Sequence, residues 1–199
     1  HKEKIKRFKA EVDVLTLTAT PIPRTLQLSL LGIRDLSVIS TPPEHRRPVK
    51  TFVARYDDLV IKEAVNRELL RGGQVFVVHN RVKSIHRMAQ TVHKLVPQAR
   101  IAVAHGQMAG NELEEIMVAF VKNKIDVLIS TTIIESGLDI PNANTIIINN
   151  GQHFGLSDLH QLRGRVGRSN KKAFCYIFAP PVTLLSQEAR RRLKAVEEF

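Results

Sequence analysis

The 199-residue sequence holds a single cysteine, Cys175. No disulfide can form within the chain, and its place in the apolar run "AFCYIFA" (173–179) makes it a core thiol. No stretch reaches the roughly 18 uninterrupted apolar residues of a membrane span, and the opening "HKEKIKRFKA" has no apolar core behind its charges. A cytoplasmic protein with no membrane partner is therefore expected. None of the ten glycines is followed by lysine, so the phosphate loop GxxxxGK[ST] is missing, and no Asp-Glu dipeptide is there to hold Mg²⁺. No GxGxxG follows a strand, which argues against a dinucleotide-dependent dehydrogenase. The eight histidines are scattered, and no His or Cys pair at ligand spacing is backed by a second, so no metal site is expected. No Ser, Cys or His nucleophile sits in a recognisable local signature. This chain alone is not expected to hydrolyse ATP.

Acidic residues are also short: 19 Asp and Glu against 30 Lys and Arg leave a formal charge of +11. That balance favours a polyanionic partner such as nucleic acid or nucleotide phosphate, with solvated helix faces as the plainer alternative. What is present is an alternation of strand-length apolar runs with helix-period segments. The runs are "VDVLTLT" (12–18), "KTFVAR" (50–55), "QVFVVHN" (74–80), "RIAVAH" (100–105), "DVLIST" (126–131), "TIIINN" (145–150) and "AFCYIFA" (173–179). They are continuous rather than alternating, as strands of a mostly parallel sheet covered by helices on both faces are. Leu113, Ile116, Met117, Phe120 and Val121 form one helical stripe with Asn111 as its expected N-cap. Ile85, Met88, Val92 and Leu95 form another, ended by Pro97, and a third helix runs from about Asp58 to Arg71 and stops at Gly72-Gly73. These stripes are read as core. "STPPEHRRPVK" (40–50) has the composition of a linker.

Loops at the carboxyl ends of parallel strands are where such folds bind ligands. In "STTIIESGLDIP" (130–141), Thr131 and Thr132 can offer hydroxyls and backbone N–H groups to a phosphate, Gly137 allows close approach, and Asp139 can accept from a ribose hydroxyl. In "HNRV" (79–82), Asn80 and Arg81 sit at a strand-to-helix turn suited to a phosphate. His105 in "HGQM" reads first as a turn residue and is kept as a further DNA-contact candidate. The third loop of interest is "HQLRGRVGRS" (160–169). Arg165 and Arg168, three apart, are expected on one helical turn with Gln161 one turn earlier, and Gly164 and Gly167 keep that turn thin. Such guanidiniums match phosphate oxygens and stay charged near neutral pH. If a neighbouring domain holds ATP, they can act as arginine fingers. A finger is worth about 10³ to 10⁵ in rate, or roughly 4 to 7 kcal/mol, against about 0 to 1 kcal/mol for a surface ion pair.

"LTATPIPRT" (17–25), "STTIIESGLDIP" (130–141) and "HFGLSDLHQLRGRVGRS" (153–169) together resemble motifs III, V and VI of superfamily 2 helicases, and the resemblance runs essentially end to end. "HKEKIKRFKAEVDVLTLTATPIPRT" and "RDLSVISTPPEHRRPVKTFV" are more similar to the translocases of bacterial transcription-coupled repair than to RecG-like branch-migration helicases.

That resemblance implies a RecA-like three-layer α/β fold, with residues 1–40 closing a first motor domain, 41–49 a linker, 50–180 the second RecA-like domain and 181–199 the start of a translocation helical hairpin. It implies an ATP-driven motor on double-stranded DNA, with ATP and Mg²⁺ held mainly by the first motor domain. Thr18, Ala19 and Thr20 would couple hydrolysis to DNA movement. Thr131 and Thr132 would meet the DNA backbone, with Gly137 and Asp139 communicating with the nucleotide. Gln161, Arg165 and Arg168 would stand at the ATP interface, and Asn80 and Arg81, matching motif IV, would touch a phosphate. RNA polymerase and UvrA would be partners through modules outside this chain. Ser136 departs from the threonine of the family pattern. The His1 start and the end at "RRLKAVEEF", inside what resembles the first hairpin helix, make a piece of a longer polypeptide the expectation. A RecG-like fork remodeller and a non-catalytic basic DNA-binding module are the alternatives.

Overall fold

In the computed structural model the described residues are 37, 48–132 and 140–198. The strand expected at 12–18 and most of the linker at 41–49 lie outside them, although Val49 already belongs to the first described strand. The other six expected strands are present with ends shifted by no more than two residues: β1 (Val49–Ala54), β2 (Gln74–His79), β3 (Ile101–Ala104), β4 (Val127–Ser130), β5 (Ala143–Asn149) and β6 (Ala173–Phe178). They form one sheet in the order β1-β6-β5-β2-β4-β3, and every pairing is parallel. The expectation of a mostly parallel sheet is met by one that is wholly parallel among the described residues. Parallel strands demand crossovers, and five helices supply them or flank them: α1 (Asp58–Leu70), α2 (Val82–Leu95), α3 (Gly110–Val121), α4 (Leu156–Arg163) and α5 (Gln187–Glu198).

Side-chain alternation along the strands splits the core in two. Val75, Val77, Val127, Ile129 and Ile147 pack with Ile61 and Val65 of α1 and Ile85 and Val92 of α2. The intervening Phe76, Val78, Leu128, Ile146 and Ile148 pack on the opposite face with Phe120 of α3, Leu159 and Leu162 of α4 and Leu193 and Val196 of α5. The result is helix, sheet, helix. Cys175 is fully buried in the second core, and burial pushes its thiol up to about 12, so it stays a neutral apolar-like filler.

Local signals account for both ends of α1. Asp57 caps α1, its Oδ1 accepting from Leu59 N at 2.8 Å. At the other end Gly72 takes a φ of +68°, and the N–H groups of Gly72 and Gly73 return to the carbonyls of Leu69 and Glu68. The expected cap of α3 is corrected: the helix begins at Gly110 behind Ala109, so Asn111 lies inside the first turn. Ala109 can supply the extended backbone but no side-chain acceptor. The stripe on α3 is also less buried than expected, since Phe120 is fully enclosed while Val121 is 48% exposed. α3 packs at the margin of the sheet, where β3 is the edge strand.

One buried polar anchor was invisible in the periodicity. Glu68, fully enclosed on α1, accepts a 2.6 Å bond from Thr145 Oγ1 of β5 and bonds to Arg71 Nε at 3.1 Å. A carboxylate at this depth is tolerated because these donors replace water. Thr145 and Arg71 Nη2 both donate to Glu68 Oε2, so Thr145→Val takes one of two donors from a buried carboxylate oxygen and is expected to lower unfolding free energy by about 1 to 3 kcal/mol in urea titration. Phe120→Ala, which empties the contact with Phe76 at 5.0 Å between ring centres, is expected to cost about 3 to 5 kcal/mol. An unchanged denaturation midpoint in either variant would contradict this packing.

Candidate nucleic-acid and nucleotide interface

The parallel register gathers the carboxyl ends of β3, β4, β2 and β5 along one edge. Ala104 and Val78 both align with Ser130, and His79 aligns with Asn149. One residue further along lie Thr131, whose N–H still reaches Ala104 O at 3.3 Å, and His105. A row therefore crosses four adjacent strands, spaced by about 4.8 Å each, in the order Asn149, His79, Thr131, His105. The alternation that sends Val77, Ile129 and Ile147 toward α1 and α2 sends this row to the same side. The apolar core ends here and polar chemistry begins.

The hydrogen bonds at the centre of the row are specific. His79 Nδ1 lies 3.0 Å from Asn149 Nδ2, and His79 Nε2 lies 2.8 Å from Ser84 Oγ on α2. The amide nitrogen of Asn149 can only donate, so Nδ1 accepts and Nε2 carries the proton. Burial, with Arg81 as the lesser cause, holds the imidazole below its usual 6.5, which favours this neutral form. Ser84 Oγ in turn reaches Arg81 O at 3.4 Å. His105 meets His86 of α2 edge to face at 6.1 Å, and its Nδ1 is buried with no hydrogen-bond partner. Ser130 Oγ, fully enclosed and turned to the other face, likewise has none.

Asn80 and Arg81 stand exposed immediately beyond β2. Arg81 is the N-cap of α2 with extended backbone, φ −142°, and makes no side-chain capping bond; the first turn of that helix carries no acidic residue and includes Lys83. Helix N–H groups without a capping carboxylate, beside two cations, form an anion-attracting corner. Thr131 is 8% exposed and Thr132 half-buried at the end of β4. The structure thus brings Asn80, Arg81, Thr131, Thr132 and His105 together on one edge. Thr18, Ala19, Thr20, Gly137 and Asp139 lie outside the described residues.

The arginine segment is placed differently from the sequence expectation. α4 ends at Arg163, Gly164 is its C-cap, and Gly167 takes a φ of +75°. Arg165 and Arg168 are therefore not on one helical turn with Gln161. They belong to a non-helical turn, with Arg168 Nε directed at Gly164 O at 3.4 Å. Nor does this segment share the carboxyl edge. It enters the start of β6, and Ser169 Oγ bonds Asn144 Oδ1 at 2.8 Å beside the start of β5, which is the amino edge of the sheet. Gln161 and Arg165 are half-buried and Arg168 is exposed. Arg163 turns inward instead, giving Nη1 to Val196 O of α5 at 3.0 Å. Gly167 is the residue that the turn needs, because an L side chain at that φ would be strained.

His79, Ser84, Asn149 and Glu68 escaped the sequence reading. The signal was a polar residue closing an otherwise apolar strand, as in "QVFVVH" and "ANTIIIN".

Residues 58–170 match the model of the helicase conserved C-terminal domain. The whole chain is 57% identical to the transcription-repair-coupling factor of Bacillus subtilis and 56% identical to that of Haemophilus influenzae, and spans 17% of the length of each. Among solved structures, RecG bound to a three-way DNA junction superposes with a TM-score of 0.74 at 37% identity, over 90% of this chain and 24% of that one. The fold is RecA-like, and no described helix is long and apolar enough to cross a membrane. With the match covering more than half its length, the chain belongs to the helicase conserved C-terminal domain family.

Proposed function

We propose that the chain is the second motor lobe of an ATP-dependent double-stranded DNA translocase acting in transcription-coupled repair. The observation that carries this reading is its identity of 57% and 56%, along the full chain, to two transcription-repair-coupling factors. The likeness to RecG favours a fork-remodelling helicase as the second reading, at the lower identity of 37%. In the whole protein the motor would push stalled RNA polymerase off its template and recruit excision repair through UvrA, by modules other than this lobe.

The geometry of the carboxyl edge supports this reading. Asn80, Arg81 and the open start of α2 would bind one backbone phosphate, and Thr131, Thr132 and His105, which follow the next two strands, a neighbouring one. Gly137 and Asp139, which follow β4 in the sequence, would link that grip to the nucleotide, and Thr18, Ala19 and Thr20 would do so from the other lobe. ATP and Mg²⁺ would be held mainly by the first lobe. Arg165 and Arg168 would face the nucleotide from either side of Gly167, which takes the positive φ of the turn and has no side chain to obstruct an approaching surface. Their permanent charge would stabilise the γ-phosphate as it leaves. Residues 181–199, with α5 packed through Ala189, Leu193 and Val196, would begin the helical hairpin. Closing of the two lobes would then bring the arginines to ATP while the carboxyl edge holds DNA, and reopening would step the duplex.

In the full-length protein, Arg165→Ala or Arg168→Ala is expected to reduce ATP turnover by about 10³-fold or more while nucleotide binding stays within a few-fold. Steady-state turnover together with equilibrium binding of a labelled nucleotide checks this, and wild-type turnover in both variants would refute the assignment. DNA affinity is expected to fall linearly in log–log form with salt, and Arg81→Ala to reduce that slope by about 1. An unaltered slope would remove Arg81 from the phosphate contacts.

A further inference from the structure

The turn that follows β2 has little to hold it. Strand pairing stops at His79, Asn80 is exposed, and Arg81 caps α2 without a side-chain bond. Backbone bonds inside the turn, Arg81 N to His79 O at 2.8 Å and Ser84 N to Arg81 O at 3.1 Å, fix its shape and tie it to the last paired residue of β2, while Ile85 anchors α2 in the core just beyond it. The side-chain path from the turn to the sheet runs through one imidazole. Ser84 Oγ touches Arg81 O on one side and His79 Nε2 on the other, and His79 Nδ1 passes the chain to Asn149 of the neighbouring strand.

We propose that His79 is a positioning residue that sets the Asn80–Lys83 turn, and with it the open start of α2, at the height on the sheet edge where a nucleic-acid phosphate is bound. This rests on the reading of that turn as a phosphate contact. His79 itself touches no nucleic acid: it is 6% exposed and faces the interior side of the turn. Both of its nitrogens are used, so it acts as a two-way connector with a donor at Nε2 and an acceptor at Nδ1. A merely space-filling role would be served by any apolar side chain of similar volume. The link to Ser84 needs a donor where Nε2–H stands, and the amide Nε2 of glutamine, which reaches about as far from the backbone, offers one. The consequence of losing it is local. A phosphate site built on helix N–H groups depends on their direction, and hydrogen bonds weaken steeply once they bend below about 120°. Slack at Ser84 therefore costs phosphate contact before it costs fold.

The test uses the full-length protein and a fluorescent DNA duplex, with affinity followed by anisotropy across a salt series. Four variants are compared: His79→Leu, His79→Gln, Ser84→Ala and Arg81→Ala. The proposal expects His79→Leu and Ser84→Ala to lower the log–log salt slope by about 1, matching Arg81→Ala, and His79→Gln to keep the wild-type slope. Ser84→Ala carries the test if the leucine variant does not fold, because it removes the link with little change in volume. A wild-type slope in Ser84→Ala and His79→Leu alongside a reduced one in Arg81→Ala would overturn the positioning role while leaving the phosphate contact intact. A glutamine variant no better than leucine would overturn it equally. A wild-type slope in Arg81→Ala would instead bring down the phosphate reading on which the proposal stands.

Discussion

The parallel register of β2 against β4 and β5 is the constraint from which the rest follows. It places Val78 beside Ser130 and Ile148, so the last apolar row and the first polar row both cross the sheet at the same level. A slip of one residue would turn His79 and Asn149 to the opposite face, away from α2, and bury Val78 or Ile148 among the polar groups instead. The hydrophobic cores on the two faces specify that register, and the polar edge inherits its geometry from them.

Two regions with different chemistry result. The carboxyl edge offers hydroxyls, amides and open helix N–H groups in a row, which suits repeated contact with a nucleic-acid backbone. The turn at 164–168 offers guanidiniums near the amino edge, where Ser169 and Asn144 pin it. Between them stands α4, eight residues long and buried through Leu159 and Leu162. A packed helix of this kind fixes the separation of the two regions. The inward-turned Arg163, bonded to the last turn of α5, shows that the three arginines of the motif do not share one task.

Much of this was legible in the sequence. Continuous apolar runs gave the described strands, the glycine pair after Arg71 gave the end of α1, and the polar termini of "QVFVVHN" and "STT" marked where the apolar core gives way to the polar carboxyl edge. What the sequence concealed has a common physical cause. Asn111 was a better cap by composition than Ala109, yet α3 starts one residue before it, at Gly110. Arg165 and Arg168 were three apart, yet Gly167 adopts positive φ and breaks the helical spacing that their separation implied. Glu68 lay on a helix with apolar neighbours, and only the fold reveals Thr145 opposite it. Periodicity reports which face a residue occupies; it does not report which partner waits there.

The central claim is that guanidiniums on this lobe complete a nucleotide site whose other wall belongs to a neighbouring lobe. The most direct measurement is a structure of the full-length protein bound to duplex DNA and a non-hydrolysable ATP analogue, in its closed form. The account predicts that Arg165 or Arg168 lies within about 3 Å of an oxygen of the terminal phosphate. A closed form in which neither side chain can reach that group would contradict it.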